Sequence, residues 1–394
     1  MTEAVVTGLG IVSPIGADTD GFWGALLEGR SGTKPIASFD TSGYPSSIGC
    51  EVDGFEPSGQ PVGRAADLAA AAGQRALGEA GLDEAARRGT ALCVGTTMGE
   101  SCWIESWPAE SLVAGARAVP AEELLRSAPE RVGADTGALL GLEGDVTVLG
   151  GACAAGNYAL GHAADLVRLG RAERVLAGGV DAFSRVAFTG FARLGALASE
   201  ACRPFSADRD GIVLGEGAAM LVVESRESAD ARGARPLAAI AGYGLSGDAF
   251  HIVSPDPEGG GAVRAMRAAL DDAGLTPEAI DYVSAHGTGT PANDRAEVKA
   301  AQVVFGEHAV PMSSIKALTG HALGAASAFE AVACVLALRR QVVPPTWNFS
   351  EPDPECEWDV VPNAPRAATI ETVMSNAYAF GGNNASLILT QPAG

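Results

Sequence analysis

One cysteine stands out among the residues able to do chemistry. Cys153 lies in VTVLGGACAAGNYALGHAADLV, where an apolar strand runs into Gly150-Gly151 and helical periodicity begins at the cysteine itself. A thiol at a helix start meets unpaired backbone N–H groups and the positive end of the helix dipole, and both favour a thiolate. Small neighbours, Ala152, Ala154, Ala155 and Gly156, leave room for a carbonyl carbon to reach the sulfur. Plain packing is the competing reading, because free cysteines are usually small buried hydrophobes. The five histidines decide between the two. His286 follows a buried-type strand and precedes the loop GTGTP, and His321 opens the helical stretch ALGAASAFE. His162 falls inside the helix after Cys153 and reads as a core or interface residue, while His251 and His308 read as ordinary surface residues. A cysteine with two imidazoles on separate loops suits thioester chemistry: the sulfur accepts an acyl group, and the imidazoles donate to or polarise a second carbonyl.

Three further stretches support that centre. Lys316, shortly before His321, needs a buried or half-buried partner, and Glu297 in the stretch after His286 is the expected one. The loop ACRPFSADRDGIVLGEGA mixes charge and glycine, so Asp208, Arg209, Asp210 and Glu216 are expected to pair with one another as structural support, without a metal. Near the end, NAYAFGGNN places a glycine pair after Phe380. Bare backbone N–H groups there could hold an oxyanion, and a hairpin turn explains the same residues equally well.

The elements that must position these side chains are legible as a repeated plan. An Ala-rich helix ending in ALGEAGL is echoed about half the chain later by one ending in ALDDAGL, each followed by a turn and a buried-type strand. Cys153 and His321 open a second pair of similar helices, and both halves start with an apolar strand running into glycines, Ala4 to Gly10 and Leu237 to Gly244. Apolar strands alternating with helices predict an α/β fold whose sheets are covered on both faces. The expected halves are residues 1–236, with Cys153, and 237–394, with His286, His321 and the Phe380 loop. Composition narrows the function classes. The net charge of −21 repels nucleic acid and anionic membranes. The start of the chain lacks a basic stretch followed by a long apolar run, and no apolar stretch approaches the ~20 residues of a spanning helix. A soluble cytoplasmic protein is expected, with its seven cysteines as free thiols rather than a disulfide framework.

These segments together resemble the elongating type of β-ketoacyl-acyl carrier protein synthase, or ketosynthase. The resemblance runs nearly end to end, through VVTGLGIVSPIG, FWGALLEGRSG, the Cys153 segment, RPFSADRDGIVLGEGA, HGTGTPANDRAE, SSIKALTGHALGAA, VVPPTWNF and NAYAFGGNNASLIL. It implies a duplicated thiolase-like fold layered α-β-α-β-α with two pseudo-equivalent halves. It implies that Cys153, His286 and His321 form a catalytic triad, that Lys316 pairs with Glu297, and that Thr288 and Thr290 hold a phosphopantetheine arm. Phe380 would be a gate residue whose N–H joins that of Cys153 in an oxyanion hole, and Phe191 would flank the acyl pocket. The substrates would arrive on an acyl carrier protein, with no other cofactor and no metal, and the enzyme would be a homodimer or a heterodimer of the ketosynthase/chain-length-factor kind. The activity implied is decarboxylative condensation with malonyl carrier in fatty-acid or polyketide-type elongation. The alternatives are a ketosynthase-like acyltransferase and a silent partner subunit, and the intact triad argues against silence. Two departures from the family pattern matter: Ala154-Ala155 replace the usual Thr-Ser, and Arg64 is the only cation in the stretch that normally docks the carrier. Arg193 and Arg203 are then the expected local docking cations.

Overall fold

The computed structural model describes residues 2–105, 107, 120–308 and 310–393. Most of the Ala/Glu-rich stretch ESCWIESWPAESLVAGARAVPAEE, residues 100–123, which the resemblance implies to lie near a dimer interface and the end of the acyl pocket, is therefore outside the described residues. Among the described residues ten strands form the central sheet: β1 Ala4–Val12, β2 Ala91–Thr96, β3 Val146–Gly150, β4 Arg174–Asp181, β5 Gly217–Ser225, β6 Ala238–Gly247, β7 Tyr282–Ser284, β8 Met312–Ser313, β9 Thr372–Ala379 and β10 Asn383–Thr390. Their spatial order is β8-β7-β9-β10-β6-β1-β5-β4-β2-β3. Each half thus has the same order of five strands. Pairing directions match too: β2 is parallel to β3 and β4, as β7 is to β8 and β9, and the remaining pairs in each half are antiparallel. The halves meet where β1 pairs with β6 at Val5–Ala239 and Val6–Ala238. This is the duplicated fold that the sequence echo predicts.

Six helices matter for the site: α1 Arg64–Glu79, α2 Ala155–Arg168, α3 Arg185–Arg193, α4 Gly260–Ala273, α5 Pro291–Phe305 and α6 Ala326–Arg340. Helices α1 and α4 cover the outer faces of the two half-sheets, while α2 and α6 lie between them, each touching strands of both halves. An outer helix needs one apolar face, but a helix between two sheets must be apolar all round. Accordingly α6 is buried continuously from Ala326 through Leu338. The glycines within the opening strands have a steric purpose. A Cβ on Gly10 would come within 1.9 Å of the Ala72 carbonyl of α1, and one on Gly244 within 2.2 Å of the Ala265 carbonyl of α4. The strand-into-glycine pattern and the Ala-rich helices are thus two sides of one close contact.

The structure shifts one equivalence. The sequence aligns Cys153 with His321, but the helices they precede start at Ala155 and Ala326, each after a single 3₁₀ turn, 152–154 and 323–325. Ala152 therefore corresponds to Leu323, and Cys153 to Gly324. Both Ala152 (φ 47°) and Leu323 (φ 51°) adopt left-handed backbone, a conformation costing a residue with a Cβ of order 1–3 kcal/mol. Among the described residues no helix is long and apolar enough to cross a membrane.

Candidate active site

Cys153 is carried by the 3₁₀ turn at the head of α2, one residue after the strained Ala152, and is buried. His286 follows β7 directly, and His321 lies between a short helix, Lys316–Thr319, and the turn leading into α6. The three side chains line one cavity of about 260 Å³, together with Thr288, Thr290 and Phe380. The two imidazole rings stand edge to face with centroids 5.4 Å apart. The Thr288 and Thr290 hydroxyls lie 2.9 Å from each other. The sequence-based grouping of these residues is thus met in space.

The partner expected for Lys316 is corrected. Its Nζ donates to Glu330 of α6 and to the His286 carbonyl oxygen at 2.6 Å, and it lies 3.4 Å from His286 Nδ1. Glu297, on α5, instead accepts the backbone N–H groups of His286 at 2.8 Å and Gly287 at 2.7 Å. Two buried groups therefore fix His286 from different directions, a carboxylate holding its N–H and an ammonium holding its carbonyl. Burial pushes Glu297 up to about 8 and Glu330 up to about 7. Glu330 carries a signal in the sequence itself. It is the only carboxylate on α6, and a charge on a helix buried on all sides needs an ionic partner.

Burial also overrides the helix-start argument for a thiolate. It pushes the Cys153 thiol up to about 12, with the Lys316 charge acting in the opposite direction. The histidines go the other way: burial, then the Lys316 charge, hold His286 and His321 well below the usual 6.5. Both imidazoles are neutral donors or acceptors at neutral pH. With the Lys316 ammonium facing Nδ1, the favoured His286 tautomer carries its proton on Nε2 and can donate it. His321 is fixed through its main chain, its N–H donating to the Val213 carbonyl at 2.7 Å and its carbonyl accepting from Gly215 at 3.0 Å.

The sign of the pH dependence follows. If neutral imidazoles are the active forms, acid inactivates only on reaching their depressed pKa values. For the reaction the resemblance implies, a Cys153→Ala variant should therefore decarboxylate malonyl carrier without a loss centred at the ordinary histidine value; steps nearer about pH 7 and about pH 8 belong to Glu330 and Glu297. A pH–rate profile with half-maximal activity at 6.5 would contradict this.

Phe380 and the glycines after it form the tight turn of the β9–β10 hairpin. Gly381 donates its N–H to the Ile252 carbonyl at 2.8 Å, so that group is already engaged. The Phe380 ring lies 5.3 Å from that of Phe191. Behind Cys153 opens an apolar groove of about 300 Å³, walled by Met98, Leu323, Phe380 and the α3 residues Ala187, Gly190 and Phe191. Asp181, at the end of β4, was not singled out from sequence. Its buried carboxylate accepts N–H groups from Thr97, Met98 and Gly324 and the Thr96 hydroxyl, so it fixes two walls of that groove.

The loop 201–218 is structural, but Asp208, Arg209, Asp210 and Glu216 do not pair with one another; inside the loop Asp208 lies 3.5 Å from Arg203. Arg209 binds Asp353 at 2.6 Å and lies 3.5 Å from Asp294, Glu216 binds Arg64, Asp208 accepts from Ser206 and Ser350, and Asp210 accepts from Ser199. Arg64 is thereby turned inward, with Nε and one terminal nitrogen on Glu216 at 2.8 and 2.7 Å.

Comparison with known proteins agrees with this geometry. The family model described as "Beta-ketoacyl synthase, N-terminal domain" matches residues 1–229, and "Beta-ketoacyl synthase, C-terminal domain" matches residues 237–350. Nodulation protein E of Rhizobium meliloti (strain 1021) is 42% identical over 404 residues, covering 99% of each chain. The 3-oxoacyl-[acyl-carrier-protein] synthase 2 of Coxiella burnetii is 40% identical over 409 residues, covering 99% of this chain and 98% of the relative. Among solved structures, the ishigamide ketosynthase/chain length factor superposes with a TM-score of 0.94 at 41% identity over the whole of both chains. With both family models accounting for most of its length and Cys153, His286 and His321 in one cavity, the chain belongs to the beta-ketoacyl synthase family of acyl-transferring condensing enzymes.

Proposed function

We propose that the chain, with residues 1–236 and 237–394 as its two halves, is a 3-oxoacyl-[acyl carrier protein] synthase acting by decarboxylative Claisen condensation. The observation that carries this reading is that two chambers meet at Cys153: a cavity into which His286, His321, Thr288 and Thr290 bring polar groups, and the apolar groove beside α3. The first suits a phosphopantetheine arm, the second a hydrocarbon chain. The Cys153 sulfur attacks the thioester of an acyl carrier, and its proton leaves with the carrier thiol. Malonyl carrier then enters the vacated cavity. Loss of carbon dioxide leaves an enolate whose oxygen is held by the neutral N–H donors of His286 and His321. The enolate carbon attacks the acyl carbonyl on Cys153, whose developing negative charge faces the N–H groups of Cys153 and Phe380, and the sulfur departs as a thiolate that takes up a proton from solvent as the 3-oxoacyl carrier forms. Lys316 and Glu297 act through His286.

The groove is open on one side, with Val186 and Leu194 each about half exposed, and β3 presents an exposed sheet edge at Val146. Both features support a dimer in which a second subunit closes the acyl channel, either an identical chain or a chain length factor as in the ishigamide structure. Docking of an acidic carrier would rest on few cations, because Arg64 is engaged with Glu216 and Arg203 lies 3.2 Å from Glu200; Arg193, at the end of α3, is exposed. An acidic chain with seven free cysteines fits the cytoplasm, and the chemistry calls for no cofactor beyond the carrier's arm.

Intact-mass analysis tests the reading. Incubation with acyl carrier should add one acyl group at Cys153, and further incubation with malonyl carrier should discharge it as 3-oxoacyl carrier. An acyl-enzyme that persists undischarged, with malonyl carrier unconsumed, would reduce the activity to acyl transfer. No acylation at all would overturn it.

A further inference from the structure

The helix that walls the acyl groove is short and is held at its first turn by a side chain from another element. Helix α3 spans nine residues, and too short a helix is only marginally stable without outside support. Its N-terminal Ser184 caps it conventionally, the hydroxyl accepting from the Ala187 N–H at 3.1 Å. Glu105, at the end of the short helix Ser101–Glu105, adds three further bonds. Its carboxylate accepts the Ser184 hydroxyl at 2.7 Å, the Arg185 N–H at 3.0 Å and the Val186 N–H at 3.1 Å. The same two segments are also joined by Ser101 Oγ to Ser184 Oγ at 3.3 Å and by Cys102 Sγ to the Phe183 carbonyl at 3.6 Å. A carboxylate on the first-turn N–H groups satisfies otherwise unpaired donors and opposes the positive end of the helix dipole.

The position of that first turn sets the shape of the groove. Val186, Ala187, Gly190, Phe191 and Leu194 form one face of α3 and its end, and all line the groove facing Met98 and Leu323. Those opposite walls are independently anchored by Asp181. Gly190 leaves space that an added Cβ would enter without meeting any atom within 4 Å. The width of the groove is thus the distance between a wall clamped by Asp181 and a helix clamped by Glu105.

We propose that Glu105 is a positioning residue for acyl-chain specificity. It touches no substrate; by fixing the first turn of α3 it holds the groove in the shape that accepts longer hydrocarbon chains. The inference rests on the groove being the acyl site of the proposed synthase.

Acylation of Cys153 from butyryl and lauroyl carriers tests it, with kcat/KM measured for the parent, Glu105→Ala, Glu105→Gln and Gly190→Val, and with malonyl decarboxylation and thermal unfolding as controls. Glu105→Ala should lower the lauroyl-to-butyryl ratio about tenfold, the scale on which an apolar pocket discriminates chain length, while butyryl acylation and decarboxylation stay near parent values. Glu105→Gln, which keeps an acceptor oxygen, should fall between. Gly190→Val should lower the same ratio by filling the groove directly. A parent ratio in both Glu105 variants alongside a lowered ratio in Gly190→Val overturns the role of Glu105. A parent ratio in all three variants removes the acyl assignment of the groove, and with it the premise.

Discussion

His286→Ala and His321→Ala should each lower decarboxylation of malonyl carrier by about two orders of magnitude or more, the usual scale for a lost acid–base or oxyanion partner. Acylation of Cys153 should persist to a substantial degree. The expectation comes from the charge state of the pair. The two rings stand edge to face at 5.4 Å in one cavity with Cys153, and both are held neutral by burial and by Lys316. A neutral imidazole gives one N–H donor without the cost of burying a second cation beside Lys316. Two such donors can face the enolate oxygen that forms as carbon dioxide leaves, a charge that exists only on the reaction path, so their removal should depress kcat more than it raises KM. Acyl transfer should make smaller demands on them, because in the proposed mechanism the N–H groups of Cys153 and Phe380 hold that carbonyl instead. Single-turnover release of carbon dioxide from malonyl carrier, set beside acyl loading measured by mass, separates the two steps. A variant that decarboxylates at the parent rate shows that its histidine has another role.

Lys316→Ala should destabilise the protein by about 3–5 kcal/mol, the cost of stripping one partner from a buried ion pair. Lys316 and Glu330 are both almost fully buried, with side-chain exposures of 1% each. Removing the ammonium leaves a carboxylate on α6 between two sheets with no counter-charge. The sign of the pH effect is definite. Burial raises the Glu330 pKa, so the acid is tolerated as a neutral group at low pH and must ionise unpaired as pH rises through its folded value. The deficit of Lys316→Ala should therefore be larger at about pH 8 than at about pH 6 in denaturant titrations. A double variant, Lys316→Met with Glu330→Leu, should recover most of the stability, since replacing a buried pair by apolar groups of similar volume is often neutral. It should not recover decarboxylation, because the His286 carbonyl and Nδ1 still lack their donor. If Glu297→Gln, and not Glu330→Gln, reproduced the stability loss of Lys316→Ala, the pairing seen here would be wrong.

The sequence by itself determined which residues meet at the site and on what kind of scaffold. Cys153, His286 and His321 are marked by local pattern: a nucleophile where strand gives way to helix, and histidines beside glycine-rich turns. The duplicated α/β plan is equally local, because Ala-rich helices and glycine-bearing strands are imposed by close contacts such as Gly10 against Ala72 and Gly244 against Ala265. What only the tertiary structure decided is the pairing and protonation of buried groups. Lys316 takes Glu330 instead of Glu297 because α6 passes over it, while the oxygens of Glu297 are occupied by the backbone at His286 and Gly287. Arg64 and Arg209 are drawn into ion pairs with distant segments for the same reason. The Cys153 thiol is raised despite its helix-start position, since loss of water outweighs the nearby dipole and the Lys316 charge. Periodicity and turn chemistry are short-range properties written along the chain; desolvation and ion pairing depend on every group within a few ångströms in space, and those neighbours are assembled from both halves of the fold.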